Sequence, residues 1–382
     1  MPEFSNNPVS TYDVGTRRDF DVTPKIQRLV PEDSLWTTFM TRARVRETKT
    51  ATFYWYDSVP GGYNAQLTAG YADGASTTNI TVPDSSVFQV EDIIKNTTSS
   101  PFEIMQVVGV VDATNVTVQR AYGSSAAAHG AGNVGDWLVR LGNAMEENSV
   151  SPAAKMMQPT QRTGYCQIFR TPFDESMTSA DEAKKTAEDE RTRLRRDKLL
   201  DHRCDMERAF LFSQAVEHAG DKRRLTDGLL NNITNIYDCG GVLTQNEFEL
   251  FCEMLFQYGS RNKGLIASTR LITIISGFAQ DRIKTKTGQT DYGLAITKYI
   301  SAHGELKLFE SRTLENDYAN TGIGVDLDNC WLRPLRKRGG LVKLWTNTQE
   351  NNRDGWMDEY IGEVGLQVML PQTHAFLKNA AA

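Results

Sequence analysis

The feature that most constrains this chain is a charged segment without Pro or Gly between Ser179 and His218. Ala, Leu, Glu, Lys and Arg dominate it, and these residues favour helices. Ser179 and Glu182 have the spacing of a capping box, and Gly220 follows as a C-terminal stop. The segment therefore predicts one uninterrupted helix over residues 180–218, about 58 Å long at about 1.5 Å per residue. That length exceeds what a compact domain of this size needs.

The two halves of this predicted helix differ in polarity. Its first half is mostly charged, and its few apolar residues form one thin stripe: Ala180, Ala183, Ala187 and Leu194. Two pairs at i,i+4 have the acid before the base, Asp181 with Lys185 and Asp189 with Arg193. Each stabilises the helix by a few tenths of a kcal/mol. The second half, Leu199–Phe212, is apolar on nearly all sides, which predicts burial. We expect one end rooted in a core and the other lying across a sheet or a neighbouring subunit. A solvated coiled-coil helix is the alternative, which the lack of a Leu, Ile or Val heptad disfavours.

Composition excludes several classes of protein. The 382 residues suffice for two or three domains. A net charge of −6 means that the chain has no overall positive potential for binding nucleic acid. No apolar run approaches the roughly 20 residues that a membrane span needs, and the N-terminus has no signal-peptide core. The cysteines are scattered, which predicts reduced, mostly buried thiols in a cytosolic protein: Cys166, Cys204, Cys239, Cys252 and Cys330.

Residues 1–48 form a polar arm with a few apolar anchors, among them Trp36, Phe39 and Met40. Pro31–Ser34 has the composition of a helix start. The arm is too thinly apolar to build a core of its own, and ordering it costs about 1–2 kcal/mol per residue. We therefore expect it to dock elsewhere, as on a neighbouring copy, or to remain a disordered tail.

Two strand-like segments that lie far apart in sequence, Thr50–Tyr56 and Tyr165–Phe173, predict a long two-stranded loop. A connection of that length must carry structure of its own. It contains short alternating runs separated by turn residues: Ile80–Val82, Val90–Lys95, Glu103–Val111, Val116–Arg120 and Trp137–Leu141. This pattern predicts a small β-barrel or sandwich inserted in the loop.

The remainder of the chain mixes helices and strands. Leu243–Tyr258 is an amphipathic helix with Thr244 as its N-cap, and the strand Gly264–Ala267 leads into a helix over Thr269–Phe278. Further strands are expected at Leu294–Ile300, Leu306–Phe309, Asn329–Leu335, Leu341–Trp345 and Glu359–Leu370. The last of these is expected to pair back near the long helix, which gives an α+β domain built from discontinuous segments.

The sequence contains no catalytic or ligand-binding pattern that its local context supports. The GxGxxG match at Gly130–Gly135 lacks the preceding strand and following helix that a pyrophosphate needs, so a β-turn is the better interpretation. His202 and Cys204 face opposite sides of a helix and cannot share a metal. His218 is expected to interact with the helix dipole. The sequence predicts no catalytic, cofactor-binding or metal site.

Other charged clusters have ordinary interpretations. The acid pairs Glu146-Glu147 and Asp358-Glu359 are expected to be solvated charges and not a general acid/base pair. The basic cluster is the best phosphate-binding candidate: Arg333, Arg336, Lys337 and Arg338. A turn or subunit contact explains it at least as well, since no aromatic residues interleave with it.

Six stretches stand in a characteristic order along nearly the whole chain: Pro31-Glu32-Asp33-Ser34, Thr52-Phe53-Tyr54-Trp55, residues 123–132, Gln167-Ile168-Phe169, Thr290-Asp291-Tyr292-Gly293 and Glu359-Tyr360. This layout of arm, extended loop, long helix, α+β domain and returning strand resembles the major capsid proteins of tailed bacteriophages. The resemblance implies an α+β fold of the Hong Kong 97-like type, with a β-domain inserted in the extended loop.

The resemblance also implies a structural protein that is not an enzyme. Its copies would form the hexamers and pentamers of an icosahedral head around double-stranded DNA, in a virion assembled in the host cytoplasm. Its partners would be neighbouring copies, a portal, scaffolding and decoration proteins, and DNA bound without sequence specificity, with no membrane. Some relatives cross-link through Lys and Asn, and no motif assigns those roles here. Because Met1 leads almost directly into the arm, any scaffold is expected to be separate or absent.

The implied domains are discontinuous. They are a 1–48 arm, an extended loop at 49–76 and 137–173, an insert at 77–136, a peripheral domain at 174–225 and 346–382 with the long helix at about 180–218, and an axial domain at 226–345. Three alternatives stay open: an encapsulin-type cellular shell of the same fold, a DNA-binding head or tail adapter, and an enzyme with an unrecognised site.

Overall fold

The structure is a computed structural model that describes residues 34–59, 62–72, 77–98, 102–122, 131–152, 154, 158–182, 189–278, 283–284, 297–336 and 341–381. Its contacts divide the chain into two compact units. The first combines Met1–Trp55 with Gln161–Ala382, and the second is Tyr56–Thr160.

The described α-helices are α1 Leu35–Ala43, α2 Met177–Asp181, α3 Glu190–Phe212, α4 Leu229–Asn232, α5 Gln245–Phe256 and α6 Thr269–Phe278. The strands are β1 Thr52–Asp57, β2 Asn64–Gln66, β3 Thr77–Thr81, β4 Asp92–Asn96, β5 Glu103–Val110, β6 Asn115–Gln119, β7 Trp137–Asn143, β8 Thr160–Tyr165, β9 Gln167–Glu175, β10 Val216–His218, β11 Arg223–Leu225, β12 Asn235–Val242, β13 Lys263–Ala267, β14 Ile283–Lys284, β15 Thr297–Ile300, β16 Glu305–Glu310, β17 Gly322–Asp326, β18 Cys330–Pro334, β19 Lys343–Trp345, β20 Trp356–Val368 and β21 Ala375–Ala381.

The long charged helix is shorter than the sequence predicts. Asp189 begins α3, because its carboxylate accepts a hydrogen bond from the Thr192 N–H at 3.0 Å, and Ser213 ends it with extended backbone. The prediction that it runs on to His218 is wrong, since that residue lies in β10. Gly220 accordingly belongs to a hairpin loop and not to a helix stop. Upstream, Ser176 caps the separate α2, and residues 183–188 lie outside the described part.

Helix α1 docks on another part of its own chain, so this part of the arm packs on a core elsewhere, as expected, but not on that of a neighbouring copy. Trp36, Phe39 and Met40 are at most 1% exposed and pack in one cluster with side chains of α3. Buried Glu207 of α3 joins the two helices, accepting a hydrogen bond from Thr37 Oγ1 at 2.9 Å. The same carboxylate accepts a bond from Ser311 Oγ at 2.8 Å. Residues 1–33 lie outside the described part.

Strand β20 is the centre of the sheet beneath α3. It pairs with β9 on one edge and with β18 and β19 on the other. The predicted pairing of this C-terminal strand near the long helix is confirmed, since the Tyr360 hydroxyl donates to the Arg195 carbonyl of α3 at 3.0 Å. The sheet packs closely at Gly365, where an added Cβ would lie 2.5 Å from the Tyr165 carbonyl oxygen.

A seven-stranded sheet forms the other layer of the first unit, in the order β12-β21-β17-β13-β16-β15-β14. Helices α5 and α6 contribute to the apolar cluster on this sheet. The predicted N-cap of α5 is confirmed, because Thr244 Oγ1 accepts a bond from the Glu247 N–H at 3.2 Å. The predicted helix Thr269–Phe278 is confirmed with the same bounds. The expected turn at Arg338-Gly339-Gly340 lies outside the described residues.

The second unit contains a six-stranded sheet in the order β2-β7-β4-β5-β6-β3. A bridge between Ala69 and Thr81 joins the chain beyond β2 to the last strand, β3, so the sheet closes on itself as a barrel. Its interior is a separate apolar cluster that includes Leu67, Ile94, Met105 and Leu138, each at most 1% exposed. Two of the strands, β2 and β7, lie outside the segment 77–136.

A buried ion pair lies within this barrel. Arg120 and Glu103 form two parallel hydrogen bonds of 2.9 Å each, with side chains 3% and 1% exposed. Arg120 also donates to the Ala72 carbonyl at 2.7 Å and lies over the Tyr71 ring, 4.7 Å from its centroid. Both charges are thus neutralised and hydrogen-bonded, as buried charges require.

We expect a fragment of residues 56–160 to fold alone, because the barrel has its own core and its own neutralised buried charges. Heating it should give cooperative loss of its β-sheet circular dichroism. The matched control is residues 77–136, which lack β2 and β7 and should not fold cooperatively, since Ile94 and its neighbours lose the strands that cover them. An unstructured 56–160 fragment would contradict this boundary.

Candidate functional site

The described residues contain no cluster of three or more His, Cys, Asp or Glu side chains that could hold a metal ion. All five cysteines are free thiols. Burial raises the pKa of Cys166 to about 12, because the thiolate would lose its hydration, so this thiol is not activated as a nucleophile. Within the described ranges, no helix is both long and apolar enough to cross a membrane.

The GxGxxG segment forms a turn and not a nucleotide site. Gly132 is bridged to Tyr71, and Gly135 has a φ of +96°, a conformation that favours glycine. Strand β7 follows, where a pyrophosphate site would need a helix N-terminus. Gly130 lies outside the described residues.

The basic cluster is divided in the structure. Arg333 is partly buried, its guanidinium lies 5.3 Å from the centroid of the Phe53 ring, and burial lowers its pKa. Arg336 is exposed and lies 3.7 Å from a Glu47 carboxylate oxygen. Lys337 and Arg338 lie outside the described residues. The two described arginines thus have different environments, which does not favour a phosphate site.

The predicted histidine roles are partly corrected. His202 is fully buried on α3 and shares a hydrogen bond of 2.9 Å with Thr171 Oγ1 of β9, and burial lowers its pKa. His218 is exposed in β10, beyond the end of α3 at Phe212, so the expectation that it lies at the C-terminus of that helix is wrong. His303 is also exposed, and His129 lies outside the described residues.

Asp358 is the clearest error among the predicted solvated charges, because its side chain is only 1% exposed. Arg191 of α3 donates two hydrogen bonds of 2.5 and 2.8 Å to its carboxylate. Arg195, one helical turn further along, donates two more of 2.8 and 3.0 Å. Burial alone would raise the pKa of this carboxyl. The hydrogen bonds from Arg191, the Asn347 N–H and Arg195 outweigh that effect and lower the pKa to about 2.

The neighbouring Glu359 is also buried, on the opposite face of β20. Its carboxylate, 4% exposed, accepts bonds from Arg170 of β9 at 2.6, 2.7 and 3.0 Å. Asp358 and Glu359 therefore fix α3 and β9 to β20, and neither is placed as a general acid or base. The one signal in the sequence was the i,i+4 spacing of Arg191 and Arg195, which puts both on one helix face.

A second buried polar cluster lies where β13, β17 and the end of the chain meet. Lys263 Nζ donates to the carbonyls of Tyr258 and Thr373 at 2.8 and 3.0 Å and lies 3.4 Å from the Asp326 carboxylate, with both side chains 0% exposed. Asp326 also accepts bonds from the N–H and hydroxyl of Ser260, at 2.7 and 2.6 Å.

The pKa values in this cluster follow from burial and hydrogen bonding. Burial lowers the pKa of Lys263, and the attraction of Asp326 opposes that shift. For Asp326 burial acts to raise the pKa, but the Ser260 hydrogen bonds and the Lys263 charge outweigh it, so the pKa is lowered. Both charged side chains are 0% exposed and are bonded to neighbouring groups of the chain, which favours a structural role.

The surfaces that remain unexplained by the fold of a single chain are exposed and apolar. On β1 one face is buried, whereas Tyr54 and Tyr56 on the other are 56% and 65% exposed. Tyr63 is 70% exposed and Val150 is 87% exposed. Exposed aromatic and aliphatic groups of this kind are typical of protein contact surfaces. These surfaces, and not an enclosed pocket, are the candidate functional site.

A family model described as SU10 major capsid protein matches residues 6–381. A major capsid protein of Pseudomonas phage PaMx41 is 30% identical over 126 residues, which cover 32% of this chain and 30% of that protein. The chain thus aligns with under a third of that relative's length.

Two solved structures have the same fold. The capsid of the native GTA particle has a TM-score of 0.51 at 10% identity and covers 99% of this chain and 100% of that chain. A structure of Microbacterium phage Oxtober96 also has a TM-score of 0.51 at 10% identity, with 98% and 100% covered.

Proposed function

Because the chain belongs to the SU10 major capsid protein family, we propose that its copies assemble into the hexamers and pentamers of an icosahedral phage head. The match over residues 6–381 is the observation that carries this proposal. The fold predicted from the sequence, α+β and Hong Kong 97-like, is confirmed by the likeness to capsid structures. The family also implies a structural role, and we infer that the chain is not an enzyme.

The exposed apolar groups support assembly physically. Tyr54, Tyr56, Tyr63 and Val150 would remain in water in an isolated chain. Burying apolar surface is favourable by about 25 cal/mol per Å² removed from water. Several modest contacts of this kind on each copy combine in a closed shell, because each one formed raises the effective concentration for the next.

We further propose that the head encloses double-stranded DNA without reading its sequence, and that portal, scaffolding and decoration proteins contact it. The arm, the extended loop and the barrel would supply contacts between copies. The mature protein would reside in the virion, after assembly in the host cytoplasm. The domain limits predicted from the sequence stay proposals, and we extend the barrel domain to residues 56–160, the compact unit that contains its strands.

Electron microscopy of the purified full-length chain, or of particles from lysed source cells, should show capsomers or closed shells. Analytical ultracentrifugation of the same samples should show species far larger than 42.8 kDa. Particles from cells should contain nuclease-protected DNA. A chain that stays monomeric at every concentration and is missing from particles would contradict the proposal, and shells loaded with a protein cargo would favour a cellular compartment.

A further inference from the structure

A cavity of about 210 Å³ lies between the first residues of β9 and the β10–β11 hairpin. Its walls are Cys166, Gln167 and Ile168 on one side and 222–225 on the other. Ile168 is 43% exposed and Leu225 is 38% exposed, so the cavity has an apolar wall that the described chain does not cover. Apolar groups exposed beside a cavity can receive an apolar side chain of a partner.

The rim of this cavity is basic. Lys222 and Arg223 are exposed and form no ion pair with any other residue that the structure describes. The adjacent Arg224 is different, since Glu217 neutralises it at 2.9 Å. Two cations beside an apolar wall favour a partner that has carboxylates next to an apolar side chain.

The chain itself carries a segment of that chemistry in its second unit. Residues 144–150 (AMEENSV) are all exposed, with Met145 at 38% and Val150 at 87%. Glu146 and Glu147 form no ion pair with the described residues. A turn holds the segment, because the Ser149 N–H and hydroxyl donate to the Glu146 carbonyl at 3.2 and 2.7 Å and Asn148 has a φ of +61°.

We propose that the cavity at β9 and the β10–β11 hairpin receives the 144–150 segment of a second copy of this chain. Glu146 and Glu147 face Lys222 and Arg223, and Val150 enters beside Ile168 and Leu225. The occupant is a copy of the chain because charge and apolar character are both complementary, whereas a polyanion such as DNA would leave the apolar wall unused. The inference rests on the proposed function and names one contact of the assembly.

Charge reversal tests this contact directly. K222E/R223E, or E146K/E147K, should raise the protein concentration for half-maximal assembly about tenfold or more, because the pairs become repulsive in every copy. The quadruple variant should recover most of the loss. The matched control R261E/R270E reverses two exposed arginines elsewhere and should change assembly little. Unchanged thermal unfolding of each unassembled variant shows that folding is intact.

Mixing the two double variants distinguishes a contact between copies from one within a chain. Equal amounts should assemble better than either alone, since each reversed surface then meets a complementary one on its neighbour. Rescue in the quadruple variant without rescue on mixing would place the contact within one chain and overturn the proposal. So would normal assembly of both double variants. If the unmodified chain itself fails to assemble, it is the proposed function that fails.

Discussion

Replacing Asp326 by Ala should destabilise the first unit by about 3–5 kcal/mol, the cost typical of removing one partner of a buried ion pair. The carboxylate is fully buried against Lys263, and it accepts two bonds from Ser260, one from the Asp328 N–H and one from the Asn329 amide. The variant therefore leaves a buried ammonium without its counter-charge and four further donors without this acceptor. The free energy of unfolding should be measured by denaturation in guanidinium with tryptophan fluorescence, on unassembled protein.

Asp328→Ala is the matched control for that experiment. Asp328 lies two residues away and pairs with Arg44, but its side chain is 41% exposed. Exposed pairs of this kind contribute about 0–1 kcal/mol. Asp326→Asn should fall between the two, because the amide oxygen can still accept from Ser260 but carries no charge. If Asp326→Ala and Asp328→Ala reduced the free energy of unfolding equally, the buried ion pair would contribute no more to stability than the exposed one.

Lowering the pH from 7.5 to 5 should reduce the free energy of unfolding of the first unit by roughly 2 kcal/mol through the protonation of His374 alone. Its ring is fully buried, Nδ1 accepts from the Asp326 N–H at 3.1 Å, and Nε2 lies 3.1 Å from the Met369 carbonyl oxygen. Burial lowers the pKa to about 4, although the Met369 carbonyl and the Asp326 charge oppose the shift. The neutral ring with its proton on Nε2 fits both bonds.

The unit becomes less stable at low pH because unfolding then takes up a proton on His374. The unfolded chain protonates His374 near pH 6.5, and the folded chain does so only near pH 4. This contribution is therefore complete above about pH 6.5 and is lost as the pH falls toward 4. His374→Gln should reduce the loss between pH 7.5 and 5, measured by urea unfolding, whereas the exposed control His303→Gln should not. If His374→Gln lost as much unfolding free energy between pH 7.5 and 5 as the parent protein does, this role of His374 would be contradicted.

Asp326 and His374 lie in the same buried region, so the losses of unfolding free energy caused by substituting each of them should not be additive. Asp326 supplies the backbone N–H that His374 accepts, and its carboxylate pairs with Lys263. Residues that share one hydrogen-bond network are coupled, and a double variant should lose less than the sum of the single losses.

The sequence determined the local elements where one signal was strong. Period-2 patterns located five of the six barrel strands and missed β2, Thr244 began α5, and the helix predicted at Thr269–Phe278 has those bounds. It also determined the layout that carries the family resemblance. The length of the charged helix was wrong because helix propensity is a weak preference, and the capping carboxylate of Asp189 and the extended backbone at Ser213 decided its ends.

Only the tertiary structure decided which polar groups are buried. Asp358 and Glu359 have the composition of a solvated pair, yet strand geometry sends them to opposite faces of β20, where arginines of α3 and β9 meet them. Strands β12 and β21, absent from the sequence prediction, are parallel partners far apart in the chain. Local residue pattern fixes the period and type of an element, whereas its pairing and burial depend on contacts between residues remote in sequence.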